Sequence, residues 1–488
     1  MPWWRLSRPS DSKTTHSIYY SMNKRLLDDA VGSLYLLLIA VMGVATVLER
    51  FHGTEQTHSW VYDAPWFAAL WALLALCGSA YMFRWWRQHA RRQQGRARVA
   101  TYAILLLHAA WVVILIGGGI TRCCALQGMV HLREYEPTNK ISLLKPEDAE
   151  HTLPFRVVLT RFHIDYHPGT NQPADFHSHI AIAQRKEVGN GIIDTADIHM
   201  NHIYKYRGYR FYQANYDRDL SGSMLAVTHD PWGIAVTYAG YAMLLAAILL
   251  MAYTHRHRWN EQKRTIDRGK ALQRVHFCAW LLCSLYLLLR WVKGGTVPLT
   301  NGFETLLVLS WAILFVGLRR HFHLSSMLLA ALFLLVAHLM EPHPTIVAPL
   351  MPVLRSWLLY VHVSVIMLAY ALLTLCTVHS FVALWRKEKG GQQQYSSLLP
   401  PAMALLATGI FIGAVWANQS WGTYWSWDPK EVWALITLMV YAVALHRRSI
   451  SFLQHPRHYH LFICVAYLCL LITYFGVNYF LGGMHAYA

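Results

Sequence analysis

The chain has 488 residues, of which 55% are hydrophobic and only 14% are charged. An average soluble protein carries about 25% charged residues, so this composition excludes an ordinary soluble chain as well as a disordered, collagen-like or disulfide-framework one. The net charge of +17 fits either nucleic-acid binding or basic cytoplasmic loops between membrane spans. The 28 histidines indicate metal or haem ligation by some of them.

Apolar runs of membrane-spanning length recur along the chain and predict about eleven transmembrane helices. The first run follows Asn23, Lys24 and Arg25 and lacks a signal-peptide cleavage site, which favours a retained anchor. The predicted fold class is therefore mainly α, a multi-pass membrane helical bundle. The predicted spans are 31–49, 66–83, 100–120, 232–253, 275–292, 303–318, 324–340, 356–384, 399–417, 431–446 and 459–481.

Basic residues accumulate on one side of these spans, in the N-terminal segment and in five loops. The loops are Arg84–Arg98, 254–274, Arg319–Arg320, Arg386–Lys389 and Arg447–Arg457. The positive-inside rule then predicts a cytoplasmic N-terminus and an external C-terminus. Because the charge is spread over loops and forms no single patch, a nucleic-acid partner is excluded.

One long segment between spans, 121–231, is predicted to be an extracytoplasmic β-rich domain. It alternates apolar and polar residues, as in Phe155–Leu159 and Gly208–Tyr212, with turn signals at His167–Thr170, Gly189–Gly191 and Asp217–Asp219. The predicted organisation is 1–30 cytoplasmic segment, 31–120 three helices, 121–231 β-rich domain, 232–253 fourth helix, 254–274 basic cytoplasmic linker, and 275–488 a seven-helix half that contains the aromatic loop 416–433.

The aromatic loop places six Trp and Tyr side chains around the charged run Asp428-Pro-Lys-Glu431. An interfacial aromatic belt explains the abundance of Trp but leaves the embedded charges unexplained. A cluster of indoles beside a few charges suits a flat, apolar ligand with a charged edge, and haem is such a ligand. His362 and His485 are predicted to lie at the level of this loop, at the outer face.

Other histidines fall inside predicted spans, where polar side chains are costly and usually functional. His108 and His446 are predicted in the inner half of the membrane, which gives one histidine pair at each face. A lone membrane histidine can equally well bond a neighbouring backbone carbonyl, and three more remain alternative inner ligands: His276, His338 and His379. A metal site is left open at a histidine cluster in the β-rich domain: His163, His167, His177 and His179.

These residues resemble a known family. Trp421–Trp433 resembles the tryptophan-rich "WWD" signature of the haem-handling superfamily, which includes the cytochrome c synthases of System II and two subunits of System I. Other stretches resemble the ResB-like partner of System II: Leu107–Arg122, Gly128–Glu134, Tyr206–Gln213 and Asp230–Gly233. From residue 30 onward the chain resembles the fused CcsB–CcsA synthase, with 31–120 ResB/CcsB-like and 275–488 CcsA-like. Ser426 departs from the family, which often has Gly there.

The resemblance implies a holocytochrome c synthase of the haem lyase type. Such a protein carries haem b, its substrate and bound ligand, to the outer face and joins it by thioether bonds to the cysteines of a C-x-x-C-H motif. The resemblance assigns iron ligation to four histidines and the haem platform to four loop residues: His362 and His485 externally, His108 and His446 within the membrane, and Trp421, Trp425, Trp427 and Asp428 in the loop.

The implied partners are apocytochrome c, haem and membrane lipid. A thioredoxin-like thiol reductant is implied as well, because none of the eight cysteines of this chain has C-x-x-C spacing. Three other classes remain. A haem exporter or chaperone without ligase chemistry shares the two-site arrangement, a quinol oxidoreductase also uses histidine pairs for b haems, and a System I subunit shares the aromatic loop. The loop together with the β-rich domain favours the synthase.

Overall fold

A computed structural model describes residues 12–89, 93–144, 149–183, 191–261, 270–320, 322–340, 349–387 and 397–483. The chain divides into two compact units: Met1–Gly119 with Ala235–Gln262, and Ile120–Ile234 with Lys263–Ala488. The β-rich segment therefore shares one unit with the C-terminal helices.

The first unit is built from long helices. They are α1 (Ser12–His52), α2 (Pro65–His89), α3 (Gly95–Cys124) and α4 (Gly233–Glu261), of which α3 and α4 run across the unit boundaries. Two glycines allow α3 and α4 to approach closely. A Cβ added at Gly117 would lie 2.6 Å from the backbone nitrogen of Thr237, and one at Gly240 would lie 2.6 Å from a side-chain carbon of Ile114. Larger residues at either position would separate the two helices.

The second unit contains seven more long helices among the described residues. They are α5 (Lys270–Gly294), α6 (Gly302–Arg320), α7 (His323–Met340), α8 (Trp357–Trp385), α9 (Leu399–Ser420), α10 (Pro429–Leu445) and α11 (Pro456–Leu471), which continues as a π-helix over Ile472–Leu481. Proline opens α10 and α11, where its missing N–H costs nothing and its fixed φ suits a helix.

The helices confirm a multi-pass membrane protein. Among the described residues, eight helices are long and apolar enough to cross a membrane. Two more are apolar but shorter, Gly302–Leu318 and His323–Leu339. Each predicted span overlaps a helix of the structure. The mainly α fold class with a β-rich domain is confirmed.

The β domain is one antiparallel sheet with the order β5-β4-β3-β2-β1-β8-β7-β6. Its strands are β1 (Leu126–Arg133), β2 (Thr138–Leu143), β3 (Glu150–Tyr166), β4 (Pro173–Ala183), β5 (Ile192–Ile198), β6 (Tyr204–Tyr206), β7 (Tyr209–Tyr216) and β8 (Gly222–His229). Alternate side chains, including Phe155, Val157 and Leu159, form a buried core. The predicted turns at His167–Thr170 and Asp217–Asp219 connect strands; residues 189–190 of the third turn lie outside the described residues.

Two helix boundaries differ from the sequence prediction. Helix α4 continues to Glu261, beyond the predicted end at 253, and α5 begins at Lys270 rather than at 275. Hydropathy marks only the apolar part of a helix, whereas Lys, Arg and Gln are good helix formers that extend it beyond the apolar layer. The predicted linker 254–274 is therefore helical at both ends.

A buried ion pair joins α5 to the start of α6. Arg290 Nε donates to Glu304 Oε1 at 2.7 Å, and the two side chains are only 5% and 3% exposed. The other carboxylate oxygen accepts bonds from the backbone and hydroxyl of Thr300, at 2.8 and 2.7 Å. Neither the composition nor the hydropathy of the spans predicts this pair.

We expect Arg290→Met to destabilise the protein by about 3–5 kcal/mol, because it leaves Glu304 as an uncompensated buried charge. The double variant Arg290→Met/Glu304→Leu should recover most of that loss. Thermal unfolding of the detergent-solubilised protein, followed by size-exclusion chromatography of the heated samples, measures the difference. Equal destabilisation of the single and double variants would contradict this interpretation.

Candidate functional site

The aromatic loop enters α10 through a strong helix start. Asp428 is the N-cap, with its side chain accepting a bond from the backbone nitrogen of Lys430 at 2.9 Å. Pro429 occupies the first helical position and favours the extended backbone of the residue before it, here φ −54° and ψ 142°. This extended conformation is the one an N-cap requires. Asp428, which is buried, therefore fixes the end of the loop.

The two charges that follow also hold the loop in place. Glu431 accepts bonds from the backbone nitrogen of Ser426 at 2.9 Å and from its hydroxyl at 3.3 Å. Lys430 Nζ donates to Asn478 Oδ1 at 2.7 Å, which ties α10 to the π-helix at the end of the chain. The charged run that an aromatic belt left unexplained thus organises the loop.

The indoles of the loop meet edge to face rather than in a flat stack. Trp425 and Trp427 have ring centroids 5.8 Å apart at 88°, and Trp416 and Trp421 are 4.8 Å apart at 65°. Trp427 has a φ of +59°, a left-handed conformation that is costly for a bulky residue and clusters at functional sites. Trp425 Nε1 is buried and has no hydrogen-bond partner among the described residues, so a bound ligand could satisfy it.

His362 on α8 is held in a defined orientation by α9. Its Nδ1 lies 2.7 Å from the carbonyl oxygen of Gly409, which accepts a bond only if Nδ1 carries the proton. The ring rests on Gly413, where an added Cβ would lie 2.6 Å from His362 Cε1. With the proton on Nδ1, Nε2 keeps its lone pair, as metal-ligating histidines require.

An apolar cluster joins α8, the helix of His362, to the aromatic loop. Trp416 packs with Leu358 and Leu359 of α8, and both Trp421 and Val363, the neighbour of His362, pack against this cluster. The structure therefore brings the first turns of α8 together with the first tryptophans of the loop.

The other predicted iron ligands are placed as follows. His485 lies outside the described residues, but an added Cβ at Gly483 would lie 2.5 Å from Asp428 Oδ2, so the chain reaches the loop two residues earlier. His108 lies in the first unit and His446 in the second. In each, Nδ1 contacts the carbonyl oxygen four residues earlier at 2.8 Å, which again favours the tautomer with the proton on Nδ1.

The alternative inner ligands have their own partners. His338 and His379 contact the carbonyls of Leu334 and Leu375. His276 is buried against His323, with 2.7 Å between their Nδ1 atoms. The sequence analysis did not single out His323, because it begins a helix beside the basic residues Arg319 and Arg320 and reads there as a loop residue.

The β domain contacts the loop through a residue that the sequence analysis missed. Asn201, with a left-handed φ of +62°, accepts a bond from Ser420 Oγ at 2.6 Å and donates to the carbonyl of Val353 at 3.1 Å. Asp175 supports this turn by accepting bonds from His199 and from the backbone of Met200. Burial opposes ionisation of Asp175, but these hydrogen bonds outweigh it and lower its pKa.

A second contact between the aromatic loop and the β domain consists of two consecutive hydrogen bonds and a closely packed glycine. Tyr424 donates to Thr121 at 2.8 Å, and Thr121 donates to Asp230 at 2.6 Å. Gly422, with a φ of +83°, lies so close to Tyr212 that an added Cβ would be 2.8 Å from its ring. The aromatic loop is thus held by α9, by α10 and by the β domain.

For His362 as the haem ligand that the resemblance implies, we expect Gly413→Ala to weaken haem binding by about 10–100-fold, the loss typical when the support of a metal-ligating histidine is removed. The new methyl group would displace the ring from Gly409. Haem titration of the purified protein measures this effect. Gly43→Ala is the matched control, because an added Cβ there meets nothing within 4 Å. Equal affinity in the two variants would contradict the proposed cradle.

Two families match the two parts of the chain. The family described as Cytochrome C assembly protein matches residues 299–485, and the ResB-like family matches residues 92–225. The CcsA cytochrome c biogenesis protein of Guillardia theta is 32% identical over 43% of this chain and 82% of its own length. The chain belongs to the CcsA family of cytochrome c biogenesis proteins. A ResB-like region precedes its CcsA region, which is the arrangement of a fused CcsB–CcsA protein.

Two further relatives are matched over less of their length. Protein NrfI of Wolinella succinogenes is 38% identical over 44% of this chain, which spans 26% of NrfI. CcsA of Chlamydomonas reinhardtii is 35% identical over 42% of this chain, which spans 65% of that protein. Membership in this family supports haem handling in cytochrome c biogenesis.

Proposed function

We propose that the chain moves haem b to the outer face of the bacterial inner membrane and attaches it to apocytochrome c. The observation that carries the proposal is the imidazole of His362, cradled by Gly413 with its Nδ1 on a backbone carbonyl, on the helix that packs against the aromatic loop. Its Nε2 is suited to ligate haem iron. His485 supplies the second external ligand in this proposal.

The loop holds the haem in register. Trp421, Trp425 and Trp427 contact the ring, and the unpaired Trp425 Nε1 offers a donor for a polar group of the haem. Asp428 acts as a positioning residue, because its carboxylate is occupied with the start of α10. Oriented binding supplies much of the catalysis, since it turns an encounter of thiol and vinyl into a step within one complex.

The proposed reaction is the addition of a thiol across each haem vinyl group. One carbon–sulfur bond forms, the vinyl double bond becomes a single bond, and the thiol hydrogen ends on the other vinyl carbon. Electrons balance without an external oxidant. The nucleophiles are the two substrate thiols, which must be reduced, so a separate thioredoxin-like reductant is the expected partner. The motif histidine of the product then replaces one external ligand and permits release.

Coexpression with an apocytochrome c, in a bacterial host that lacks its own maturation genes, tests this proposal. Covalent cytochrome that keeps its haem stain after denaturation is the expected result. Haem bound to the chain without covalent product would instead support the alternative, an exporter or chaperone without ligase chemistry.

His108 and His446 each serve haem entry on the inner side in this proposal. We expect His108→Ala or His446→Ala to lower the haem content of the purified protein several-fold, including haem at the external site, because cytoplasmic haem would enter there. The pyridine haemochrome assay measures haem per chain. If either variant kept the haem content of the wild type, the assignment of haem entry to that histidine would be wrong. The assignment of the external ligands would not be affected.

A further inference from the structure

One face of the β domain carries a row of histidines and aspartates. On β3 and β4 the alternate side chains, such as Phe162, Phe176 and Ile180, pack into the core. The strand period of two therefore places the intervening residues on the opposite face. These residues, with those of β5 and the turn after it, are His163, Asp165, Asp175, His177, His179, Asp197, His199 and His202.

Three of these residues converge. His163 and His177 are directly opposite each other on β3 and β4, with ring centroids 4.8 Å apart and nearly parallel planes. Asp165 lies beside both, with its oxygens 3.7 Å from His163 Nε2 and 3.5 Å from His177 Nε2. One ligand atom from each residue lies within 4.8 Å of the others.

The neighbours of these residues point to metal ligation rather than to a simple ion pair. His177 Nδ1 lies 2.9 Å from Asp197 Oδ2, so the carboxylate fixes the proton on Nδ1 and leaves the lone pair on Nε2, towards Asp165. A carboxylate behind a histidine is the usual outer support of a metal ligand. His163 Nδ1 is buried and has no hydrogen-bond partner in the described ranges, so the protein leaves this nitrogen unsatisfied.

We propose that His163, His177 and Asp165 bind one Zn²⁺ ion, or a first-row ion of the same ligand preference such as Cu²⁺. Two imidazoles and a carboxylate form a ligand set that zinc accepts, with a fourth position left for water. Asp175 Oδ2 lies 3.9 Å from His177 Nε2. The ion would join β3 to β4, one strand from the sheet edge at β5. None of the three proposed zinc ligands is a proposed haem ligand.

Zinc binding to the full-length protein tests the proposal. The detergent-solubilised chain, carrying a streptavidin-binding tag rather than a histidine tag, is equilibrated with buffered Zn²⁺, and bound zinc is measured by mass spectrometry. We expect the wild type to bind one tightly held zinc ion per chain that the double variant His163→Ala/His177→Ala does not bind. Asp197→Asn should lower the affinity of that ion by about 10–100-fold.

Two controls separate this site from other histidines. His131→Ala removes an imidazole that also faces an aspartate, Asp217 at 2.9 Å, on the same domain, and it should keep the ion. His362→Ala should also keep it, which makes the result independent of the proposed haem chemistry. Equal zinc in the wild type and the double variant, with both proteins monodisperse, would overturn the proposal. Loss of the ion in His131→Ala to the same extent would overturn it too.

Discussion

His362→Ala is expected to abolish covalent cytochrome product while the protein still accumulates in the membrane. The substitution removes the imidazole whose Nδ1 bonds Gly409 and whose Nε2 would ligate iron. The loss should exceed the about 10–100-fold effect of removing only the support of a ligand. Haem-stained product from coexpression measures it. Added imidazole should restore part of the activity, since a free ring can occupy the space left beside Gly413.

The matched control for this variant is His458→Ala. His458 is a half-buried histidine of α11 that contacts the carbonyl of Phe452 at 3.1 Å, so it tests the loss of a histidine without the loss of the site. We expect its product to equal that of the wild type. Full activity of His362→Ala would contradict the ligand assignment. So would a failure of added imidazole to restore either haem binding or product.

Trp425→Ala/Trp427→Ala is expected to lower external haem binding and product by at least about tenfold. Each aromatic pair contributes about 0.5–1.5 kcal/mol beyond its buried area, and the substitution removes two indoles from the proposed haem contact. The fold should survive, because the loop is also held by Asp428, Glu431 and Asn201. Haem titration and product staining of the same preparations measure both effects, and inner-site haem should persist.

Two exposed tryptophans on helix surfaces provide the matched control. Trp291 and Trp357 are 49% and 69% exposed, as an interfacial belt requires. Trp291→Ala/Trp357→Ala should therefore leave haem binding unchanged. If the loop variant also kept wild-type product, the loop would return to the interpretation of an aromatic belt that only anchors helices.

The spans and the β domain were predictable because each rests on a local period or on composition. Apolar runs identify helices wherever they occur, and alternation with turn residues identified β3 and β7. The helical extension to Glu261 was not predictable from hydropathy, because basic residues mark the end of the apolar layer and not the end of the helix.

The residue types of the proposed site can be read from the sequence, but the contacts between them cannot. Asp428-Pro-Lys-Glu431 carries a complete helix-start signal, an N-cap followed by proline and by an acidic third position, and that signal could have assigned the role of Asp428. The support of His362 by Gly409 and Gly413 joins two helices about 50 residues apart, so no local pattern contains it. The same is true of Asn201, which bonds Ser420 across the sequence.

The most direct test of the account is a reaction of purified components. The haem-loaded protein is mixed with a reduced peptide that contains C-x-x-C-H, and intact mass spectrometry measures covalent haem on the peptide. The account predicts a peptide that carries one haem, little product with a peptide in which serine replaces both cysteines, and little product with the His362→Ala protein. Haem that passes to the peptide only non-covalently, or covalent product formed equally well with the His362→Ala protein, would contradict it.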